Sequence, residues 1–127
     1  MDLTPLRDFV IDQEPDYEEG RNLFMFHMPA QVQIGTVLVV ETPGAGVDHE
    51  IPGTFKQRIQ AIVRHSDYTE GQNMARRLYD MLNLRRVQIG DYYFHYIMPR
   101  HLPIPYRRGE SGLVEFSVNY DTHFAET

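Results

Sequence analysis

Residues 55–84 join a strand of strict alternation to a capped amphipathic helix, and that join limits the chain to folds in which a helix follows a strand and packs back on its sheet. Phe55, Gln57, Ile59, Ala61 and Val63 point one way from an extended backbone, and Lys56, Arg58, Gln60, Ile62 and Arg64 point the other. One face reads as core, the other as solvent or partner. His65-Ser66-Asp67 breaks the alternation, and Asp67 with Glu70 sets carboxylates where a helix N-terminus has unpaired amides and partial positive charge. Gly71, Ala75, Leu78 and Leu82 then fall on one stripe, flanked by Met74, Tyr79 and Met81. Gln72, Asn73, Arg76, Arg77 and Asp80 take the opposite side. The stripe is the face that meets the sheet.

On either side of this unit the chain reads as further strands. Residues 22–28 form a short strand stopped by Pro29. Residues 35–42 form a stronger one, because Val37, Leu38, Val39 and Val40 are continuous and apolar, as in a strand covered on both faces in the middle of a sheet. Residues 43–46 are turn chemistry and 47–53 a loop. After the helix, Arg85 and Arg86 suit its negative end, and 87–98 resume strand character with Tyr92, Phe94, Tyr96 and Met98 alternating against Tyr93, His95 and Ile97. Both faces of that strand are bulky, so it lies between layers or meets a neighbouring subunit. Residues 99–109, with Pro99, Pro103 and Pro105 and with Arg100, Arg107 and Arg108, cannot form a central strand and read as a projecting loop. Residues 113–120 are the last strand and 121–127 a polar tail. The expectation is an α+β fold, a largely antiparallel sheet with one main helix on one face, an N-terminal arm and a Pro/Arg-rich loop. Residues 1–21 are the acidic arm, with at most a short helix over 4–10 opened by Pro5, and 22–127 a single domain.

Composition narrows the function classes. No apolar run approaches the roughly 20 residues of a membrane-spanning helix, and Met1-Asp2 lacks the basic-then-apolar order of a signal peptide, so a soluble, unexported chain without a membrane partner is expected. The absence of cysteine excludes disulfides, thiol catalysis and thiolate metal sites. A formal charge of −6 argues against general nucleic-acid binding. Charge is also segregated: Asp2, Asp8, Asp12, Glu14, Asp16, Glu18 and Glu19 crowd the first residues, whereas Arg76, Arg77, Arg85, Arg86, Arg100, Arg107 and Arg108 lie in the second half, and Lys56 is the sole lysine. Arginine's planar fork pairs well with carboxylates across an interface, so one copy's arm could meet a neighbour's arginines. A solvated surface is the plain alternative.

Catalytic and metal chemistry find little support. Asp91, His95 and His101, or Asp48, His49 and Glu50, lack ligand spacing. Ser66 beside Asp67 is helix-start chemistry, Ser111 and Ser117 have no triad pattern, and Gly44-Ala45-Gly46 lacks the lysine of a phosphate loop. No cofactor, no metal and no enzymatic activity are expected.

The order of the elements carries a resemblance. Gln60-Ala61-Ile62-Val63-Arg64, then Asp67-Tyr68, then Leu78-Tyr79-Asp80-Met81-Leu82-Asn83 match a run ending Q-hydrophobic-R, a polar turn with tyrosine and a helix ending Y-D-x-L-N. Upstream lie residues 22–29 and residues 37–44 with their glycine turn, and downstream come Leu102-Pro103 and the strand 112–120 containing Phe116-Ser117-Val118-Asn119-Tyr120, in the same order. In this the chain resembles the tail-terminator and minor-capsid proteins, for tail completion and head-tail joining, of long-tailed bacteriophages. It departs from them in its shorter first helix. The resemblance implies a structural virion protein, assembled in the host cytoplasm. It would form a homo-oligomeric, hexameric ring on the head-proximal end of the tail tube, end tube growth and join the tail to the head connector or neck protein, with DNA only passing through the lumen. The expected subunit contact sets Asp12, Glu14, Asp16, Glu18 and Glu19 against Arg76 and Arg77, with Tyr92, Tyr93 and Tyr96 as anchors. Arg100, Pro103, Pro105, Arg107 and Arg108 would reach the neighbouring tier. A head-completion or neck protein of the same fold, and a small soluble protein-binding module, remain the other readings.

Overall fold

The computed structural model describes residues 1–41, 44–108 and 112–127, and the side chains of Arg107 and Arg108 lie outside that description. Among the described residues two helices, α1 (Thr4–Gln13) and α2 (Tyr68–Met81), accompany eight strands: β1 (Leu23–Met25), β2 (Gly35–Val40), β3 (Gly46–Val47), β4 (Thr54–His65), β5 (Leu84–Ile89), β6 (Tyr92–Pro99), β7 (Ile104–Arg108) and β8 (Leu113–Glu126). The sheet runs β1-β2-β4-β8-β6-β5, with β3 beside β4 and β7 beside β8. Among the strands of the described residues only β1–β2 pair in parallel, and the other strand pairs are antiparallel.

The join between β4 and α2 forms as its residues dictate. Asp67 sits in extended backbone and its side chain accepts the Glu70 amide at 2.9 Å, a cap worth about 1 kcal/mol. The Asp67 amide in turn donates to His65 Nδ1 at 2.8 Å, which fixes the turn. Gly71, Ala75, Leu78 and Leu82 are all buried against β4 and β8. Gly71 allows the closest approach: a Cβ there would lie 2.8 Å from the Phe116 ring and 2.9 Å from His65 Cβ. The Tyr120 hydroxyl crosses from sheet to helix and donates to the Leu78 carbonyl at 2.7 Å.

Five features differ from the sequence expectation. Residues 4–13 form a full helix whose Leu6 and Val10, with Leu3 ahead of them, are buried in the core at helical spacing. The centre of the sheet is β4–β8 and not residues 35–42. The residues expected as one strand over 87–98 are a hairpin, β5 and β6, turning at Gly90-Asp91, where Gly90 has φ +58 and Pro5 of α1 closes in on it. The last strand does not stop at Tyr120: Thr122 and Phe124 continue the inward alternation, and all twelve residues of β4 pair with β8. The proline-rich stretch holds a strand after all, β7, but one that pairs only with β8, and an edge is where proline is tolerated. Of the expected turns, Thr42, Pro43 and Gly109 lie outside the described residues.

Candidate assembly surfaces

With α1 and α2 covering one face of the sheet, the opposite face and the two flanks remain for partners. A β-bulge in β6 between Phe94 and Tyr96 decides which aromatics stay inside. Tyr92 and Phe94 pack on Phe124 with ring centroids 5.2 and 5.8 Å away. After the bulge Ile97 points inward, while Tyr93, His95 and Tyr96 remain half-buried in contact with one another or with His123. Of the three expected tyrosine anchors, then, Tyr92 belongs to the core of its own chain, its hydroxyl accepting the Asp2 amide at 2.8 Å. The Asp2 carboxylate accepts the Thr4 amide, and this contact holds its pKa below the usual value.

The open face is polar and internally paired. Arg58 lies 3.3 Å from Asp121, and Arg100 lies 3.9 Å from Asp121 and 3.6 Å from Glu41, so one network crosses from β6 to the end of β2. Arg100 is thereby turned across the sheet and not outward as part of a projecting loop. Gly44, Gly46, Lys56, Arg58, Tyr96 and Asp121 border an open depression of about 540 Å³ beside this network. His123 Nε2 stands 3.0 Å from Asp48 Oδ2, a contact that is an ion pair only when the ring is protonated. Asp48 is held ionised first by the Glu50 amide, which lowers its pKa. The sequence reading missed His123 and Asp48 as partners, because His123 fell in the presumed tail.

The acidic residues divide. Glu14 meets Arg77 of its own chain at 3.1 Å, so the one close contact between the acidic stretch and this arginine pair is intramolecular. Glu18 pairs with Arg21 at 2.8 Å, whereas Asp12, Asp16 and Glu19 are exposed. Arg76 lies 3.6 Å from Asp80 and stacks over the Tyr79 ring at 4.8 Å. Pro103 is half-buried and Pro105 exposed on β7. Beneath the acidic stretch Tyr17 shares a buried hydrogen bond of 2.9 Å with Thr36, and burial pushes its pKa up to about 12.

The exposed apolar side chains are not scattered. Nine large ones stand out among the described residues. Phe26, at 62% exposure, and Ile34 lie by the β1 edge, and Val47 and Ile51 lie by the β3 edge. Met98, Leu102, Ile104 and Tyr106 lie on and before β7, at the other side of the sheet. Only Tyr68, edge-on to Phe116 at the start of α2, belongs to neither flank. Phe26 also holds a left-handed backbone, φ 69, which is costly for a bulky residue, and its amide is fixed by the Leu38 carbonyl at 2.8 Å. Sequence alone could not show that Phe26 would be left outside.

Residues 9–126 match the family model described as bacteriophage tail terminator protein. No curated protein sequence matches the chain. Among solved structures, one chain from the virion of a native gene transfer agent particle superposes with a TM-score of 0.62 at 9% identity, over 84% of this chain and 80% of that one. A second solved chain superposes with a TM-score of 0.53 at 13% identity, over 98% of this chain and 89% of its own length. At such identities the likeness is one of fold.

Proposed function

The chain belongs to the bacteriophage tail terminator family, and from that premise we propose that it is a structural virion component that closes into a ring of about six copies on the head-proximal end of the tail tube. The observation that carries this reading is the family match over nearly the whole chain, residues 9–126. The particle origin of the structural neighbour and the concentration of exposed apolar side chains on two separate flanks support a protein that works among copies and other virion proteins. The mechanism is geometric. A head-to-tail contact that closes after a fixed number of copies uses up its own interface, and the finished ring replaces a growing tube end by one that tube subunits no longer extend. The upper ring face then offers the seat for the head connector. DNA only passes through the lumen, and the chain's formal charge of −6 discourages it from sticking there.

The test is to produce particles lacking this chain and image the tails. The reading predicts tubes of uncontrolled, excess length that carry no heads, restored to normal length when the chain is supplied in trans. Tails of normal length that fail to join heads would instead assign it to the neck, and normal joined particles would end the proposal.

A further inference from the structure

A row of residues on the face opposite the helices crosses four strands without a break. Tyr106 on β7 is paired with Glu115 on β8, Glu115 with Arg64 on β4, and Arg64 with Gly35 on β2. Paired residues of antiparallel strands stand side by side on one face, so the four positions form a line about 14 Å long at 4.7 to 4.9 Å per strand. The line is bonded from end to end. The Tyr106 hydroxyl donates to the Glu115 carboxylate, which also accepts Arg64 Nε at 2.9 Å, and Arg64 Nη1 reaches on to the Pro29 and Val32 carbonyls at 2.9 Å each.

Gly35 makes the last step possible. A Cβ there would lie 3.0 Å from Val32 Cγ1 and 3.1 Å from Met28 Sδ, so the missing side chain leaves room over β2 for residues 28–32 to settle where the guanidinium meets their carbonyls. Inside that loop the Val32 amide turns back on the Pro29 carbonyl at 3.1 Å and Met28 is buried, while Ala30, Gln31, Gln33 and Ile34 are exposed. Arg64 supplies the polar fastening between loop and sheet. Arg64 and Glu115 are nearly closed off from water, which strengthens their bonds and makes each sensitive to the next. Tyr106 is the member of the row that is open to solvent.

We propose that this row is a coupling device, in which Tyr106 at the β7 edge sets how tightly Arg64 holds the loop before β2 on the other side of the sheet. The guanidinium is planar, so the direction of its Nε bond also fixes the direction of Nη1. Tyr106 holds the Glu115 carboxylate in the orientation that offers Oε2 to Nε. Without that hydroxyl the carboxylate turns, the guanidinium plane turns with it, and both loop carbonyls lose alignment. The loop has two arrangements, closed on Arg64 or open to water, and the coupling is reciprocal: shielding Tyr106 from water closes the loop, and closing the loop tightens the bond at Tyr106. Phe26 and Ile34 are exposed on one flank and Tyr106 on the other, so the row ties together the two apolar flanks of a single chain. The device stands or falls independently of the ring.

The test is native-state amide exchange of the full chain, read at Val32, whose amide is bonded inside the loop. Tyr106→Phe removes one hydroxyl from an exposed side chain and should speed exchange at Val32 roughly threefold or more, with an unchanged circular dichroism spectrum. In an Arg64→Met background the same change should have no further effect at Val32, because the link is already cut. A second background does not depend on that variant folding well. The Tyr106 phenol titrates above its ordinary range, through burial and the neighbouring Glu115 charge, and Glu115→Gln should bring that titration down when followed by NMR of 13C-labelled tyrosine. Glu115→Gln should also shrink the Tyr106→Phe effect at Val32 by half or more. Unchanged Val32 exchange in Tyr106→Phe, or an equal acceleration in the altered backgrounds, would overturn the coupling.

Discussion

Arg64 is the residue whose removal should cost most for its size. Although β4 directs it to the face opposite the helices, its side chain is only 4% exposed, and it gives Nε to Glu115 at 2.9 Å and Nη1 to the Pro29 and Val32 carbonyls at 2.9 Å each. It thus ties the loop between β1 and β2 onto the sheet. Arg64→Met keeps the length of the stem but leaves the Glu115 carboxylate, 12% exposed, without its guanidinium and the two carbonyls without their donor. Breaking one side of a buried pair costs about 3 to 5 kcal/mol, and the carbonyls recover part of their own 1 to 3 kcal/mol each only by opening the loop to water. Against a typical total of about 5 to 15 kcal/mol this is a large fraction. Urea unfolding followed by far-UV circular dichroism should show the loss, and amide exchange should accelerate at 30–34. Adding Glu115→Gln should restore part of the stability, because the carboxylate that lost its guanidinium is then replaced by a neutral amide. A loss below about 1 kcal/mol with unchanged exchange would refute the view that Arg64 clamps this loop.

Other consequences are simpler. Gly71→Ala should destabilise by about 1 kcal/mol or more despite alanine's better helix propensity, because its Cβ would meet Phe116 and His65 Cβ below 3 Å, and thermal unfolding reads the sign. Asp67→Ala should cost about 1 kcal/mol, measured by chemical denaturation, through loss of the bond from the Glu70 amide. Tyr17 keeps its proton in the folded chain to about pH 12, whereas the unfolded chain releases it near 10, so its contribution is whole below pH 10 and is lost as pH rises towards 12. Buried Tyr120 acts with the same sign, and Tyr17→Phe should remove up to about 2 to 3 kcal/mol of the alkaline fall in unfolding experiments across that range.

The central unit was legible because local signals agreed. The alternation of β4, the Asp67 cap and the apolar stripe of α2 each point to the same structure, and each is written in neighbouring residues. The α+β class and the family follow from that unit and its order. What stayed hidden depends on distant partners. Thr122 and His123 look like tail chemistry until β4 and β6 bury them from either side. The bulge at His95 switches the faces of β6 without a glycine or proline to announce it. Glu14 and Arg77 meet because α1 docks near α2, which no spacing in the sequence encodes. Likewise, Phe26 reads as a strand residue, and only the turn it takes on leaving β1 shows it as an exposed knob.

The ring itself is the claim on which the functional account stands. The direct test is the mass of the purified chain across concentration by light scattering, with negative-stain images of the same samples and of tail ends to which the chain has been added. The account predicts rings of about six copies with an open centre, in solution or on the tube end. A strict monomer at every concentration that also leaves tube ends bare would contradict it.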